Sequence, residues 1–269
     1  MKRSNNKQTS FTSTRAMIMF NAHKQYLLGW LRRRQLTNKG FSVICNNCFA
    51  GVAIYQKLGL KYTTPFVGLW FYSDDYIRFL ENLNWYLNQP LVFTKVSKHP
   101  EVNKASNIQR YPIGVLGGDV EIQFVHYKSE KEAEEKWGRR VKRVNLDNLF
   151  FIYCDQNNFK DEYLVRYERL PFKNKIFFSA KPRDSKISIF IEEYKNQNEI
   201  GNSLEKRESY YEKYIDLIKW LNGNSFIKKR KNIKRLHVSY ALHLWQWGLL
   251  SFVRVTMRAI LKPGGLAGI

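Results

Sequence analysis

Between residues 41 and 223 the chain alternates two hydrophobic rhythms. Phe41 to Cys45 is an unbroken β-branched and aromatic run, the pattern of a buried strand. Asn46 and Asn47 supply a turn, and Cys48 to Lys57 then shows helical spacing with Phe49, Val52 and Tyr55 on one side. Pro65 to Phe71 reads as a strand. Ser73 opens a helix reaching Asn88, as its N-cap, with Asp74 and Asp75 as first-turn carboxylates. Leu91–Val96 is a further strand, Asn103–Arg110 a polar connection and Gly117-Gly118-Asp119 a turn. Val120–His126 follows as a strand, with Val120, Ile122 and Phe124 on the same face as His126. A charge-laced helix from Ser129 to about Val144 has Trp137 as its apolar anchor. Phe150–Cys154, Ile176–Ser179 and Ile187–Ile191 are short apolar strands. A helix over Glu162–Leu170 separates the first two, and Tyr210–Leu221 is the last helix of this region. Strands alternating with helices predict an α/β fold, a mostly parallel sheet with flanking helices in a Rossmann-like three-layer arrangement.

Charge divides the chain into three parts. The net charge of +22 over 269 residues is concentrated at the ends. Residues 1–40 and 224–269 each hold nine Lys or Arg and no Asp or Glu, so residues 41–223 are close to neutral. The expected organisation is a basic amphipathic N-terminal helix (1–40), an α/β core (41–223) and a basic, Trp-containing helical extension (224–269). At the N-terminal end, cations interleave with Met17, Met19, Phe20, Tyr26, Leu27, Leu28, Trp30 and Leu31. At the other end, Lys228–Lys231 precede an uncharged stretch from Leu236 to Val253 with Trp245 and Trp247. Tryptophan and basic residues bordering apolar helices suit a bilayer interface. The C-terminal stretch also holds His237, His243, Gln246 and Gly248, and so reads as lying on a membrane rather than crossing it. The other reading of both segments is helices docked on the core. With no zinc-finger, RRM or helix-turn-helix pattern, nucleic acid is not an expected partner.

Candidate chemistry gathers just past the strands, where ligands bind in parallel α/β sheets. Cys48 falls in a first helical turn, where unpaired N–H groups and the helix dipole favour a thiolate. Two readings of it stand: a nucleophile, or a small apolar residue packed beneath the turn. His126 is a candidate base and Asp155 a candidate orienting carboxylate, completing a nucleophile–base–acid set. The Asn46 and Asn47 amides are candidate donors to an oxyanion or a sugar hydroxyl. Ser179 and Lys181 follow another strand, and Arg139 with Arg140 is a candidate clamp for a phosphate or carboxylate. Cys45-Asn46-Asn47-Cys48 has the C-x-x-C spacing, but Cys45 ends a strand, which argues against a dithiol pair. Three cysteines give neither a disulfide framework nor a four-ligand zinc site. Dinucleotide and P-loop glycine patterns are absent, and the sequence designates no cofactor and no metal.

The run Asn46-Asn47-Cys48, Gly51, Tyr55-Gln56, Leu58–Tyr62 and Thr64–Leu69 continues through Tyr111–Leu116 and His126–Glu130. Trp137, Arg139-Arg140, Asn148–Phe151, Cys154-Asp155 and Leu170–Phe172 complete it. Together they resemble an uncharacterised bacterial family met among exopolysaccharide and capsule biosynthesis proteins. The chain departs from that pattern at Phe49-Ala50, where Trp-Gly is expected, and at Cys45, where Ser is more usual. The resemblance implies a cell-envelope protein, and Cys48 then implies transfer of an acyl or similar group to a glycan or lipid-linked sugar. Glycosyl transfer and a non-catalytic accessory role in polysaccharide assembly are the alternatives. No signal peptide is apparent, so the expected place is the cytoplasmic face of the cell membrane, held peripherally on an anionic surface. The oligomeric state is left open.

Overall fold

The computed structural model describes residues 27–104, 111–201, 210–224 and 227, all within one compact unit. Apart from residues 224 and 227, the expected basic extension over 224–269 lies outside the described residues, as do most of the N-terminal segment and much of the Asn103–Arg110 connection.

Four strands form the main sheet: β1 (Ser42–Cys45), β5 (Leu149–Cys154), β6 (Lys175–Ser179) and β7 (Ser188–Phe190). They lie in the order β1-β5-β6-β7, and every pairing is parallel. Sheets of this kind are covered on both faces, so their strands are apolar at nearly every position. Alternate side chains feed two cores. Val43, Cys45, Phe150, Ile152, Cys154, Ile176 and Phe178 point to one, against the helix that follows Cys48 and the C-terminal helices α7 (Tyr211–Tyr214) and α8 (Leu217–Leu221). Ile44, Phe151, Tyr153 and Phe177 point to the other, where α2 (Ser73–Glu81), α3 (Leu83–Leu87), α5 (Glu130–Val141) and α6 (Asp161–Arg169) pack. The fold is α/β with a mostly parallel sheet between helical layers.

A second sheet departs from the sequence expectation. β2 (Val92–Thr94), β3 (Ile113–Leu116) and β4 (Val120–Gln123), with the short helix α4 (Pro100–Lys104) between the first two, form an antiparallel meander in the order β2-β3-β4. Two of the strands read from the sequence belong here rather than in the parallel sheet, and β3, not expected as a strand, completes the hairpin. Gly117 and Gly118, at φ 59° and 83°, make its tight turn. Pro65–Phe71 is not a strand. Gly68, at φ 75°, interrupts the extended backbone, and only Trp70 pairs, through an isolated antiparallel bridge to Gln123.

The helices differ in detail too. The run from Ser73 breaks at Asn82 (φ −130°, ψ 42°) into α2 and α3. Its N-cap is Tyr72, because the Ser73 hydroxyl donates to the Gln156 carbonyl (2.7 Å) instead of capping. The last helix breaks at Ile215, and the Asp216 carboxylate caps α8 by accepting from Ile218 and Lys219 N–H. Residues 49–58 are helical, but Gly51–Gln56 is wound as a π-helix with i→i+5 bonds. The wider turn moves Val52 off the core face, while Phe49, Ile54 and Tyr55 stay buried.

Candidate functional site

Asn46 and Asn47 build the turn that presents Cys48. The buried Asn46 amide stands in for one more peptide unit of β1. Its Nδ2 donates to Cys154 O and its Oδ1 accepts from Cys154 N–H, both at 3.1 Å. The Asn46 carbonyl accepts from Phe71 N–H (2.8 Å), fixing the strap that runs past Cys48. Asn47 Oδ1 accepts from Phe49 N–H (3.0 Å), capping the helix, and also from the Cys45 thiol (3.1 Å). Its Nδ2 donates to Gln156 Oε1 (2.6 Å). Both asparagine amides are thus engaged in the turn itself. Cys48 stands partly exposed at the start of the helix, while Cys45 and Cys154 are buried; none of the three is in a disulfide.

The strap brings a second element to the thiol. Cys48 Sγ donates to Leu69 O (3.5 Å), and the neighbouring Gly68 carbonyl accepts from His126 N–H (3.1 Å). Gly68 is required twice over. Its positive φ disfavours other residues, and a Cβ there would lie 3.2 Å from His126 Cβ and 3.3 Å from Tyr127 Cε2. In this way Cys48 and His126, one after a parallel strand and the other in the turn beyond β4, come to line one pocket of about 340 Å³. Gly51, Val52 and Gln56 from the π-helical segment and Lys136 and Arg140 from α5 complete its wall.

The pocket is cationic. Arg140 is buried, and its Nη1 donates to Tyr127 Oη (2.6 Å) and Val67 O (3.3 Å). Its guanidinium also lies 4.9 Å over the Tyr62 ring. Among the described residues no carboxylate pairs with it. A buried guanidinium whose hydrogen bonds go to neutral oxygens keeps its charge uncompensated by an ion pair, a setting that suits an anionic group. Burial pushes the Tyr127 hydroxyl up from its ordinary pKa, opposed by the charge and hydrogen bond of Arg140, so Tyr127 serves as a neutral prop. Lys136 is held by Glu132 at 2.5 Å.

Other sequence candidates lie elsewhere. Asp155 lines a different cleft, of about 630 Å³, with Arg183 and Glu199 at the carboxyl end of the parallel sheet. Its carboxylate accepts from Ser179 Oγ (2.8 Å), Ala180 N–H (2.8 Å) and Ile200 N–H (2.9 Å), which ties the ends of β5 and β6 together. Burial raises its pKa, opposed by these three bonds. The Ser179 hydroxyl is thereby engaged. Arg139 is exposed on α5, away from the buried Arg140. Lys181 Nζ donates to Lys195 O (3.1 Å).

Gln56 and Lys136 were not singled out by sequence. Gln56 reaches the pocket through the π-turn, which no local pattern announces, and Lys136 through its position four residues before Arg140. His99 was also missed. With Asp74 and Asp75 it brings ligand atoms within 4.8 Å of one another, the grouping among the described residues with metal-ligand chemistry. Lys98 Nζ already lies 2.5 Å from Asp75 Oδ1, and His99 Nε2 2.6 Å from Oδ2, so the buried Asp75 charge is met without an ion.

The family model described as "Domain of unknown function (DUF1919)" matches residues 19–222. The chain belongs to the DUF1919 family. A Haemophilus influenzae protein described as uncharacterised is similar to it, 36% identical over 207 residues, covering 75% of this chain and 94% of that protein. The DUF1919 match takes in both sheets, the Cys48 turn and the pocket. Among the described residues of this DUF1919 chain, no helix is long and apolar enough to cross a membrane.

Proposed function

We propose that this DUF1919 domain is a transferase of cell-envelope glycan assembly, with Cys48 as the nucleophile that carries an acyl or similar group to a glycan or lipid-linked sugar. The observation that supports this reading is the convergence of Cys48, His126 and the unpaired buried cation of Arg140 on one pocket. The exopolysaccharide and capsule setting draws its support from the motif run that begins at Asn46-Asn47-Cys48.

The step balances as two exchanges at one carbonyl. His126 takes the thiol proton, and the Cys48 thiolate attacks the acyl carbon of the donor. The donor's leaving group departs with the proton held by His126. An acceptor hydroxyl then attacks the Cys48 thioester, giving its proton to His126, and thiolate leaves to restore the enzyme. Arg140 and Lys136 hold an anionic portion of the donor. The Leu69 carbonyl, as acceptor for the thiol, favours the protonated form, whereas the helix terminus and the Arg140 charge favour thiolate.

Alkylation by iodoacetamide from pH 6 to 9, followed residue by residue in mass spectrometry, tests the balance. The expected midpoint for Cys48 lies below the ordinary thiol value of about 8.5, and Arg140→Met moves it upward. The buried Cys45 and Cys154 stay unmodified as internal controls. A Cys48 that reacts no faster than glutathione at each pH refutes the activated nucleophile and is the behaviour of a non-catalytic accessory protein.

A further inference from the structure

Residues 27–34 form a helix (α1) whose packing is inverted relative to an ordinary amphipathic helix. It meets the core through Gly29, where a Cβ would collide with the Lys57 carbonyl oxygen. The large apolar residues around that glycine are left outside: Leu27 is 47% exposed, Leu28 37%, Trp30 39% and Leu31 51%. The other exposed large apolar side chains among the described residues do not form such a run. A helix docked only for stability buries its leucines, and a contiguous exposed apolar patch marks a surface that meets something.

The cations beside the patch identify the partner's chemistry. Arg32 is committed to the fold through Glu212 (3.2 Å). Arg33 and Arg34, with Lys39, line a recess of about 280 Å³ that also has Trp30, Leu36 and Leu60 in its wall. The Arg34 guanidinium lies 4.7 Å over the Trp30 ring. Arg33 Nη1 donates to Gly59 O (3.3 Å) and Lys39 Nζ to Leu36 O (2.8 Å), but among the described residues no carboxylate pairs with Arg33, Arg34 or Lys39, and residues 1–40 contain no Asp or Glu. A second copy of the chain is a poor occupant, because a twofold interface sets this cationic patch against itself. Nucleic acid leaves the leucines without a role. An anionic bilayer satisfies both halves, taking indole and leucines at the headgroup–acyl boundary and arginines on phosphate.

We propose that α1 is a membrane-contact helix lying in the plane of an anionic leaflet, with Leu27, Leu28, Trp30 and Leu31 inserted and Arg33, Arg34 and Lys39 on the lipid phosphates. The attachment is independent of the chemistry assigned to Cys48, and its test reads binding rather than turnover.

The test is co-sedimentation of the full chain with vesicles of phosphatidylcholine alone or of an equimolar phosphatidylcholine–phosphatidylglycerol mixture. Wild type, L27S/L31S and R33Q/R34Q are compared, each checked for an unchanged melting temperature. Wild type is expected to sediment with the anionic vesicles and to be released by salt. R33Q/R34Q is expected to partition roughly 30-fold more weakly, and L27S/L31S at least roughly tenfold more weakly. Leu27, Leu31 and Arg34 are solvent-facing and Arg33 is half-buried with a hydrogen bond to Gly59 O (3.3 Å), so it is the unchanged melting temperature that assigns a loss of binding to the surface itself. Equal binding by wild type and both variants, or no binding by wild type, overturns the proposal. So does a wild-type dimer in analytical ultracentrifugation that L27S/L31S dissolves, since that assigns the patch to a second copy.

Discussion

Gly68→Ala isolates the contact that joins the Cys48 strap to His126. Gly68 has φ 75°, where an L-residue costs about 1–2 kcal/mol relative to glycine. The added methyl also lies 3.2 Å from His126 Cβ and 3.3 Å from Tyr127 Cε2, a few tenths of an ångström inside ordinary contact. Neither neighbour retreats easily. His126 N–H is bonded to the Gly68 carbonyl (3.1 Å), and Tyr127 Oη is pinned between Val67 O and Arg140, both at 2.6 Å. Overpacking of this kind adds about 1 kcal/mol or more, for a total of about 2–3 kcal/mol. At about 2–4 °C per kcal/mol for a domain of this size, the melting temperature falls by about 5–10 °C. Gly118→Ala is the control: its φ is 83°, and nothing lies within 4 Å of the added Cβ. It carries only the conformational cost. Urea denaturation of both variants with matched m-values gives the difference, which is the contact itself. Equal losses for the two variants refute the claim that Gly68 is tight against His126 and Tyr127.

Asn46→Ala removes an amide that satisfies both main-chain groups of Cys154 and leaves them buried. The expected loss is about 2–4 kcal/mol in urea denaturation, and a loss under about 1 kcal/mol shows that the amide is dispensable to β1 and β5. Partial desolvation, with the Asp155 charge beside it, raises the Glu199 carboxyl above its ordinary value, and because the side chain is largely exposed the effect is small. For an acid whose folded pKa is raised, the stabilising contribution is complete below the unfolded value, about 4.3, and is lost as pH rises through the folded value. Wild type therefore loses stability relative to Glu199→Gln between pH 4 and 7, and a flat or opposite difference in denaturation midpoints contradicts that sign.

The parallel sheet was legible because each of its strands is apolar on both faces. Phe41–Cys45, Phe150–Cys154, Ile176–Ser179 and Ile187–Ile191 leave little else to be. The antiparallel meander was not legible as such. Leu91–Val96 and Val120–His126 carry strand periodicity, but periodicity does not name a partner, and Ile113–Leu116 has Gly114 in its middle, which weakens its pattern. Pro65–Phe71 looked like a strand because composition does not reveal the positive φ of Gly68. At the site, the turn before Cys48 marked the thiol, and its placement with His126 follows from a strap that sequence could describe only as another strand. Asp155 shared the position after a strand, yet the carboxyl edge is wide enough to hold two separate pockets.

The helix of residues 49–58 has a property that belongs to its two ends together. Cys48 stands immediately before its first turn, and its last turn gives Gly29 the Lys57 carbonyl to rest against. From Cys48 to Lys57, at no more than roughly 1.5 Å per residue, is at most about 14 Å, and the π-turns shorten it. The helix is therefore a spacer that fixes the standoff between the thiol and whatever surface α1 meets. The π-turns within it hold one residue more than an α-helical path of the same rise, and that residue is taken up without changing the rotational phase between the ends. Deleting one residue from Gly51–Gln56 allows α-helical winding between ends that stay in phase, whereas inserting one turns one end against the other by about 100°. The thiol then faces away from His126, or Gly29 loses its seat. The phase of this short helix keeps the two ends of the domain in alignment.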